Sequence, residues 1–177
     1  MMKKKMMMAM LAVSSALPMT QAFAAAGTVN FNGNILDSAC DVDVASQNQV
    51  VVLGDYYKTE FPATGARTAA TQFNIVLKNC PVTVTSAKVR FDGTPDATNA
   101  SLLAIDSSAA GAASGVAINL MTADKADLPL HGSNGYSYAL SSTADNTLSF
   151  YAQYISTAAT VTAGPANSVA NFSVVYN

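Results

Sequence analysis

The chain has 177 residues, with nine Lys or Arg, eleven Asp or Glu and a single His, for a formal net charge of −2. This length is typical of a single domain. Because basic residues are few and cluster only at the N-terminus, the composition argues against nucleic acid and anionic membrane surfaces as partners.

The N-terminal residues have the three parts of a secretory signal peptide. Lys3, Lys4 and Lys5 precede an apolar segment over residues 6–17, and small residues surround Ala24. The apolar segment is shorter than the roughly 20 residues that a membrane-spanning helix needs. The sequence therefore predicts a signal peptide over residues 1–24 and an exported chain without direct membrane insertion. That mature chain would carry six basic against eleven acidic residues, a net charge of −5.

Short strand candidates separated by turn signals make up the rest of the sequence. In the first, Val29, Phe31, Gly33 and Ile35 alternate with asparagines, which gives one apolar face. Further candidates follow at residues 49–53, 72–78, 87–91, 101–105, 116–121, 147–155 and 171–176. No segment has a convincing apolar stripe of helical period. This pattern predicts an all-β antiparallel sandwich of immunoglobulin type, although the Trp typical of immunoglobulin cores is absent.

The only cysteines are Cys40 and Cys80. In an exported chain, such a pair is expected to form a disulfide. A metal site would need more ligands, and a thiol nucleophile would need a basic partner. We therefore predict one disulfide that closes a loop of about 41 residues.

The sequence offers little that could support catalysis. His131 is the only histidine and lies beside Gly132 in a turn-like segment, without a nucleophile-elbow motif. Asp41 and Asp43 would share one face of a strand, but no third ligand or calcium-loop pattern accompanies them. We therefore expect no enzyme activity, no cofactor and no metal.

Several motifs together resemble the major subunits of type 1 fimbriae, which belong to the chaperone–usher pilin family. Residues 27–40 are similar to the family's donor strand running into its first cysteine, and Cys80 has the family's spacing. Residues 170–177, with a penultimate Tyr176, resemble its chaperone-recognition strand. Gly164, the fourteenth residue from the C-terminus, also matches.

The resemblance implies an incomplete immunoglobulin-like antiparallel sandwich that a donor strand from a neighbouring subunit completes. It implies a donor-strand extension over residues 25–38 and a pilin domain over residues 39–177. The donor residues would be Val29, Phe31, Gly33 and Ile35. The acceptor groove and chaperone-recognition residues would be Gly164, Phe172, Val174 and Tyr176.

The same resemblance implies the partners and the location of the protein. Identical or related pilin subunits, a periplasmic chaperone and an outer-membrane usher would be its partners. The chain would pass through the periplasm into a fimbria on the cell surface that supports adhesion. A minor or adaptor subunit of the same pathway would share these motifs. A self-contained carbohydrate-binding sandwich is the alternative from another class, and the lack of Trp counts against it.

Overall fold

The computed structural model describes residues 27–33, 35 and 39–176. The signal peptide predicted over residues 1–24 lies outside these ranges. The chain divides into two units, Met1–Ile35 and Leu36–Asn177. No helix within the described ranges is long and apolar enough to cross a membrane.

The described residues of the first unit form neither helix nor strand. Val29, Phe31 and Ile35 are 72%, 92% and 101% exposed. The strand that their alternation predicts is therefore not observed. A strand needs a partner for its backbone hydrogen bonds, and alternation of side chains alone does not supply one.

The regular secondary structure of the second unit is almost entirely antiparallel strand. The strands are β1 (Asp41–Val42), β2 (Thr71–Lys78), β3 (Ser86–Gly93), β4 (Leu103–Ala104), β5 (Val116–Met121), β6 (Tyr138–Ala139), β7 (Asn146–Ser156) and β8 (Ala170–Tyr176). A four-residue helix, α1 (Val44–Gln47), follows β1, and a single 3₁₀ turn covers Lys58–Glu60. One sheet has the order β1-β2-β7-β5-β4, and the other has the order β6-β3-β8.

Alternating apolar residues set the register of both sheets. In the first sheet, Ile75 of β2 lies opposite Leu148 of β7. In the second, Val89 of β3 lies opposite Val174 of β8. The rings of Phe91 and Phe150 meet edge to face between the sheets, with centroids 5.3 Å apart. Ile75, Leu148 and Phe150 are almost fully buried, so the two sheets form a sandwich around one apolar core.

The predicted disulfide between Cys40 and Cys80 is present, with the Cα atoms 4.2 Å apart. Cys40 directly precedes β1, and Cys80 follows the end of β2. Because β1 and β2 are antiparallel neighbours with Asp41 opposite Lys78, these two positions are brought together. Both cysteines are buried, at 7% and 5% exposure. The prediction from the cysteine count is confirmed.

The structure departs from the sequence prediction where elements are short. The strand expected at residues 49–53 is unpaired among the described residues, and β6, of two residues, was not anticipated. Helix α1 was missed as well. It begins because the Asp43 carboxylate accepts a hydrogen bond from the Ala45 amide at 2.9 Å. The hydroxyl of Ser46 then holds it against β2 by accepting from the Val76 amide at 3.0 Å.

Candidate functional site

A large open groove lies in the second unit, with a volume of about 890 Å³. Two segments border it, residues 46–56 and residues 161–172. Core side chains from both sheets form its floor: Phe73, Phe91, Leu103, Ile118, Leu120, Ala152 and Tyr154. Most of these side chains belong to the core, so the groove runs along the edge of the sandwich interior. We refer to it below as the groove.

The first border of the groove has the form of a strand without a partner. Val50 and Val52 are 89% and 76% exposed, whereas Val51 between them and Leu53 after them are partly buried. Leu53 packs against the core. Among the described residues, none of residues 49–56 makes a backbone–backbone hydrogen bond. The side chains of residues 49–53 therefore alternate as predicted. Their backbone amides and carbonyls have no backbone partner among the described residues and could pair with an added strand.

The second border includes the beginning of β8, which is an edge strand. Among the described strands, β8 pairs only with β3, so its other edge is open. Phe172, Val174 and Tyr176 are partly buried against the core, and the residues between them are exposed. Phe172 lines the groove directly, whereas Val174 and Tyr176 lie farther along β8. The Tyr176 hydroxyl donates to the Cys40 carbonyl at 3.3 Å, and burial raises the pKa of this hydroxyl.

Gly164 lines the groove and lies against the backbone of residues 111–113. A Cβ atom at Gly164 would overlap the carbonyl oxygen of Gly111 and would lie 2.6 Å from the Ala113 nitrogen. The neighbouring Pro165 carbonyl accepts a hydrogen bond from the Ala113 amide at 2.9 Å. Glycine is therefore required here for close approach between two backbone segments.

Replacing Gly164 by alanine is expected to lower the free energy of unfolding by roughly 2 kcal/mol, because the new methyl group has no space. Gly135→Ala is the matched control. Gly135 has a φ of +85°, but a Cβ there meets no atom within 4 Å, so only backbone strain of roughly 1 kcal/mol applies. Urea denaturation of both variants measures the difference. An effect at Gly164 no larger than that at Gly135 would contradict the packing argument.

A tyrosine pair at one part of the groove was not identified from the sequence. The rings of Tyr56 and Tyr154 meet edge to face with centroids 6.1 Å apart. The Tyr154 hydroxyl donates to the Ala166 carbonyl at 3.0 Å, and burial raises the pKa of this hydroxyl. Tyr154 thus joins the floor of the groove to its second border. Only the alternation along β7 hints at its inward side chain, and nothing in the sequence indicates its partners.

The other residues considered for chemistry form ordinary surface contacts. The imidazole of His131 lies 2.8 Å from the carboxylate of Asp92, and this contact holds the pKa of Asp92 below its usual range. Asp41 accepts a hydrogen bond from Asn79, and Asp43 pairs with Lys78 at 2.6 Å. Asp41 and Asp43 do not share a strand face as predicted, because Asp43 caps α1. Among the described residues, no group of three His, Cys, Asp or Glu side chains forms a candidate metal site.

The comparisons with known proteins agree with this architecture. A family model described as "Fimbrial protein" matches residues 29–177. A type 1 fimbrial subunit from Klebsiella pneumoniae is 39% identical over 173 residues, covering 93% of this chain and 94% of the relative. A chain from the structure of a chaperone–usher pilus has a TM-score of 0.65 and 27% identity, covering 93% of this chain and 100% of that one.

The P pilus rod subunit PapA supports the fold, with a TM-score of 0.66 at 24% identity over 79% of this chain and 100% of that one. Pilus subunits of this kind have an incomplete immunoglobulin-like fold, and the groove is where this sandwich is open. The predicted fold class is therefore confirmed. The chain belongs to the fimbrial protein family, whose members are structural subunits of fimbriae on the bacterial surface.

Proposed function

We propose that this structural pilin polymerises by donor-strand exchange, in which the N-terminal extension of one subunit occupies the groove of the next. The observation that carries the proposal is the groove itself, which core side chains line between two segments whose edges have no backbone partner among the described residues. An added strand would bury the apolar floor and pair those edges at the same time. The resulting fibre is a surface fimbria that supports bacterial adhesion.

The length of the extension suits this role. Residues 29–35 number seven, as do the residues of β8. Seven residues in extended form span about 23 Å. An added strand of this length would therefore match β8 along its open edge, and its backbone amides and carbonyls would pair with groups that have no backbone partner within the described ranges.

The side chains of the extension suit an apolar groove. Val29, Phe31 and Ile35 are exposed in the first unit, so their burial in a neighbour is favourable. Gly33 interrupts this series and would lie where the groove is too shallow for a side chain. A register shift of one residue would turn Asn30 and Asn32 toward the apolar floor, so the alternation fixes the register.

An open apolar groove also explains the need for partners before assembly. Unpaired strand edges beside an apolar groove promote aggregation. We therefore propose that residues 1–24 direct export to the periplasm, where a chaperone strand fills the groove until an outer-membrane usher exchanges it for the donor strand. The donor extension would comprise residues 25–38 and the pilin domain residues 39–177. Gly164, Phe172, Val174 and Tyr176 would form the groove and chaperone contacts.

The donor role is tested by placing the same leucine on each face of the extension. Gly33→Leu should block the exchange, because its side chain would face the shallow part of the groove, and fibre yield should fall at least about tenfold. Asn30→Leu should assemble nearly normally, because position 30 faces away from the groove. Fibres sheared from cells and counted by electron microscopy give the yield. Normal assembly of Gly33→Leu would refute the donor assignment.

A further inference from the structure

The chain contains two Asn-Gly dipeptides, Asn32-Gly33 and Asn134-Gly135. Such dipeptides deamidate spontaneously when the backbone nitrogen of the glycine attacks the side-chain carboxamide carbon of the asparagine. Glycine favours this attack because it lacks a Cβ and moves freely through backbone conformations. The reaction requires that the carboxamide can turn toward the attacking nitrogen, so the surroundings of each asparagine determine its rate.

Hydrogen bonds hold the carboxamide of Asn134 at both of its polar atoms. Its oxygen accepts from the Tyr136 amide at 3.1 Å. Its nitrogen donates to the Thr122 hydroxyl at 2.8 Å, and Thr122 is only 3% exposed. Attack by the Gly135 nitrogen would require these hydrogen bonds to break. The structure therefore protects this dipeptide.

Asn32 is in a different environment. Its side chain is exposed and makes no hydrogen bond to any other described residue. A Cβ atom added at Gly33 would meet no atom within 4 Å, so the backbone there is also uncrowded. Nothing in the described part of the first unit restrains the carboxamide of Asn32 or the nitrogen of Gly33.

We propose that Asn32-Gly33 is a spontaneous deamidation site of the unassembled subunit. The Gly33 nitrogen loses its proton and bonds to Cγ of Asn32, the bond from Cγ to the amide nitrogen breaks, and ammonia leaves. Water then opens the resulting succinimide at one of its two carbonyl groups. One opening gives aspartate, and the other gives isoaspartate, in which the main chain runs through the former side chain. No oxidant or reductant takes part.

The consequence for assembly rests on the proposed donor role of residues 29–35. Aspartate at position 32 would face away from the groove and be tolerated. Isoaspartate adds a methylene to the main chain, so Gly33 and Ile35 would no longer keep register with Phe31. In the fibre, the extended backbone of a docked donor strand holds the Gly33 nitrogen away from the carboxamide. Deamidation would therefore limit how long an unassembled subunit remains able to polymerise.

The test compares the two dipeptides in the full-length mature subunit, bound to its periplasmic chaperone, and in assembled fibres. Both samples are incubated at mildly alkaline pH, and deamidation at each site is followed by peptide mass spectrometry that distinguishes isoaspartate. In the chaperone complex, Asn32 should react at least about tenfold faster than Asn134, because the hydrogen bonds of Asn134 must break first. Asn32→Gln is the matched control, because it keeps the amide but cyclises far more slowly. Aged wild-type subunits should lose assembly in proportion to isoaspartate, whereas aged Asn32→Gln subunits should not.

Each outcome separates the modification site from the donor role. Equal rates at Asn32 and Asn134 in the chaperone complex would overturn the modification site and leave the donor role intact. Rapid reaction of Asn32 in both the complex and the fibre would support the modification site and overturn the docking of residues 29–35. Full assembly by subunits rich in isoaspartate would overturn the proposed limit on assembly.

Discussion

Replacing Cys40 and Cys80 together by alanine is expected to lower the free energy of unfolding by about 4 kcal/mol. The disulfide closes a loop with a sequence separation of 40 residues and restricts the unfolded chain accordingly. This is a large fraction of the 5–15 kcal/mol that stabilises an ordinary domain. A sandwich that is open along one groove has little stability to spare, so we expect the variant subunit to be degraded before it assembles.

The measurement is urea denaturation of the subunit with a peptide of residues 27–37 bound in the groove, which keeps the protein monomeric. Reduction of the wild-type disulfide is the control, and it should give a similar loss of stability. A loss below about 1 kcal/mol would mean that the disulfide does not restrict the unfolded chain as the loop-entropy argument requires.

Replacing Phe150 by alanine is expected to lower the free energy of unfolding by roughly 4 kcal/mol, as is typical for a buried phenylalanine. Its side chain is fully buried. Its ring lies 5.6 Å from Phe73, 5.3 Å from Phe91 and 5.2 Å from Tyr138, measured between centroids. Because Phe73 and Phe91 line the groove, the cavity left at Phe150 would also loosen the floor that a donor strand must contact.

Tyr151→Ala is the matched control for Phe150→Ala. Tyr151 is the next residue on β7 and faces the other side of the sheet, where Lys125 lies 5.1 Å from its ring centroid. Removing the Tyr151 ring should lower the free energy of unfolding by less than half as much as removing the Phe150 ring. The affinity for the donor peptide should stay nearly unchanged. Denaturation and peptide titration of both variants give the two quantities. Equal stability losses would show that the core does not depend on the aromatic cluster.

The sequence is sufficient to predict the elements that side-chain periodicity defines. The predicted strands at residues 72–78, 87–91, 116–121, 147–155 and 171–176 correspond to β2, β3, β5, β7 and β8. In β2, β3, β7 and β8 apolar residues alternate and that face packs on the core, whereas β5 is a short apolar run that is buried throughout. The disulfide is equally predictable, since the chain has only two cysteines.

What periodicity does not reveal is whether a strand has a partner. Residues 49–53 alternate like a strand, yet their backbone pairs with no other described residue, and this segment forms one border of the groove. The groove also depends on residues far apart in sequence. Leu103, Tyr154 and Gly164 line the same groove only because the fold brings β4, β7 and the segment before β8 around it. Helix α1 and strand β6 were missed because two to four residues carry no measurable period.

The most direct test of the missing-strand account is to give one chain its own donor strand. A second copy of residues 27–37 is fused after Asn177 through a flexible linker, and the yield of soluble monomer from the periplasm is compared with that of the unmodified chain, each without chaperone. The control carries Phe31→Ser and Ile35→Ser in the added copy only. The account predicts that the unmodified chain and the control aggregate or are degraded, while the fused strand yields a stable monomer that does not polymerise. A stable monomer from the unmodified chain, unchanged by the added strand, would mean that the sandwich is already complete and would contradict the account.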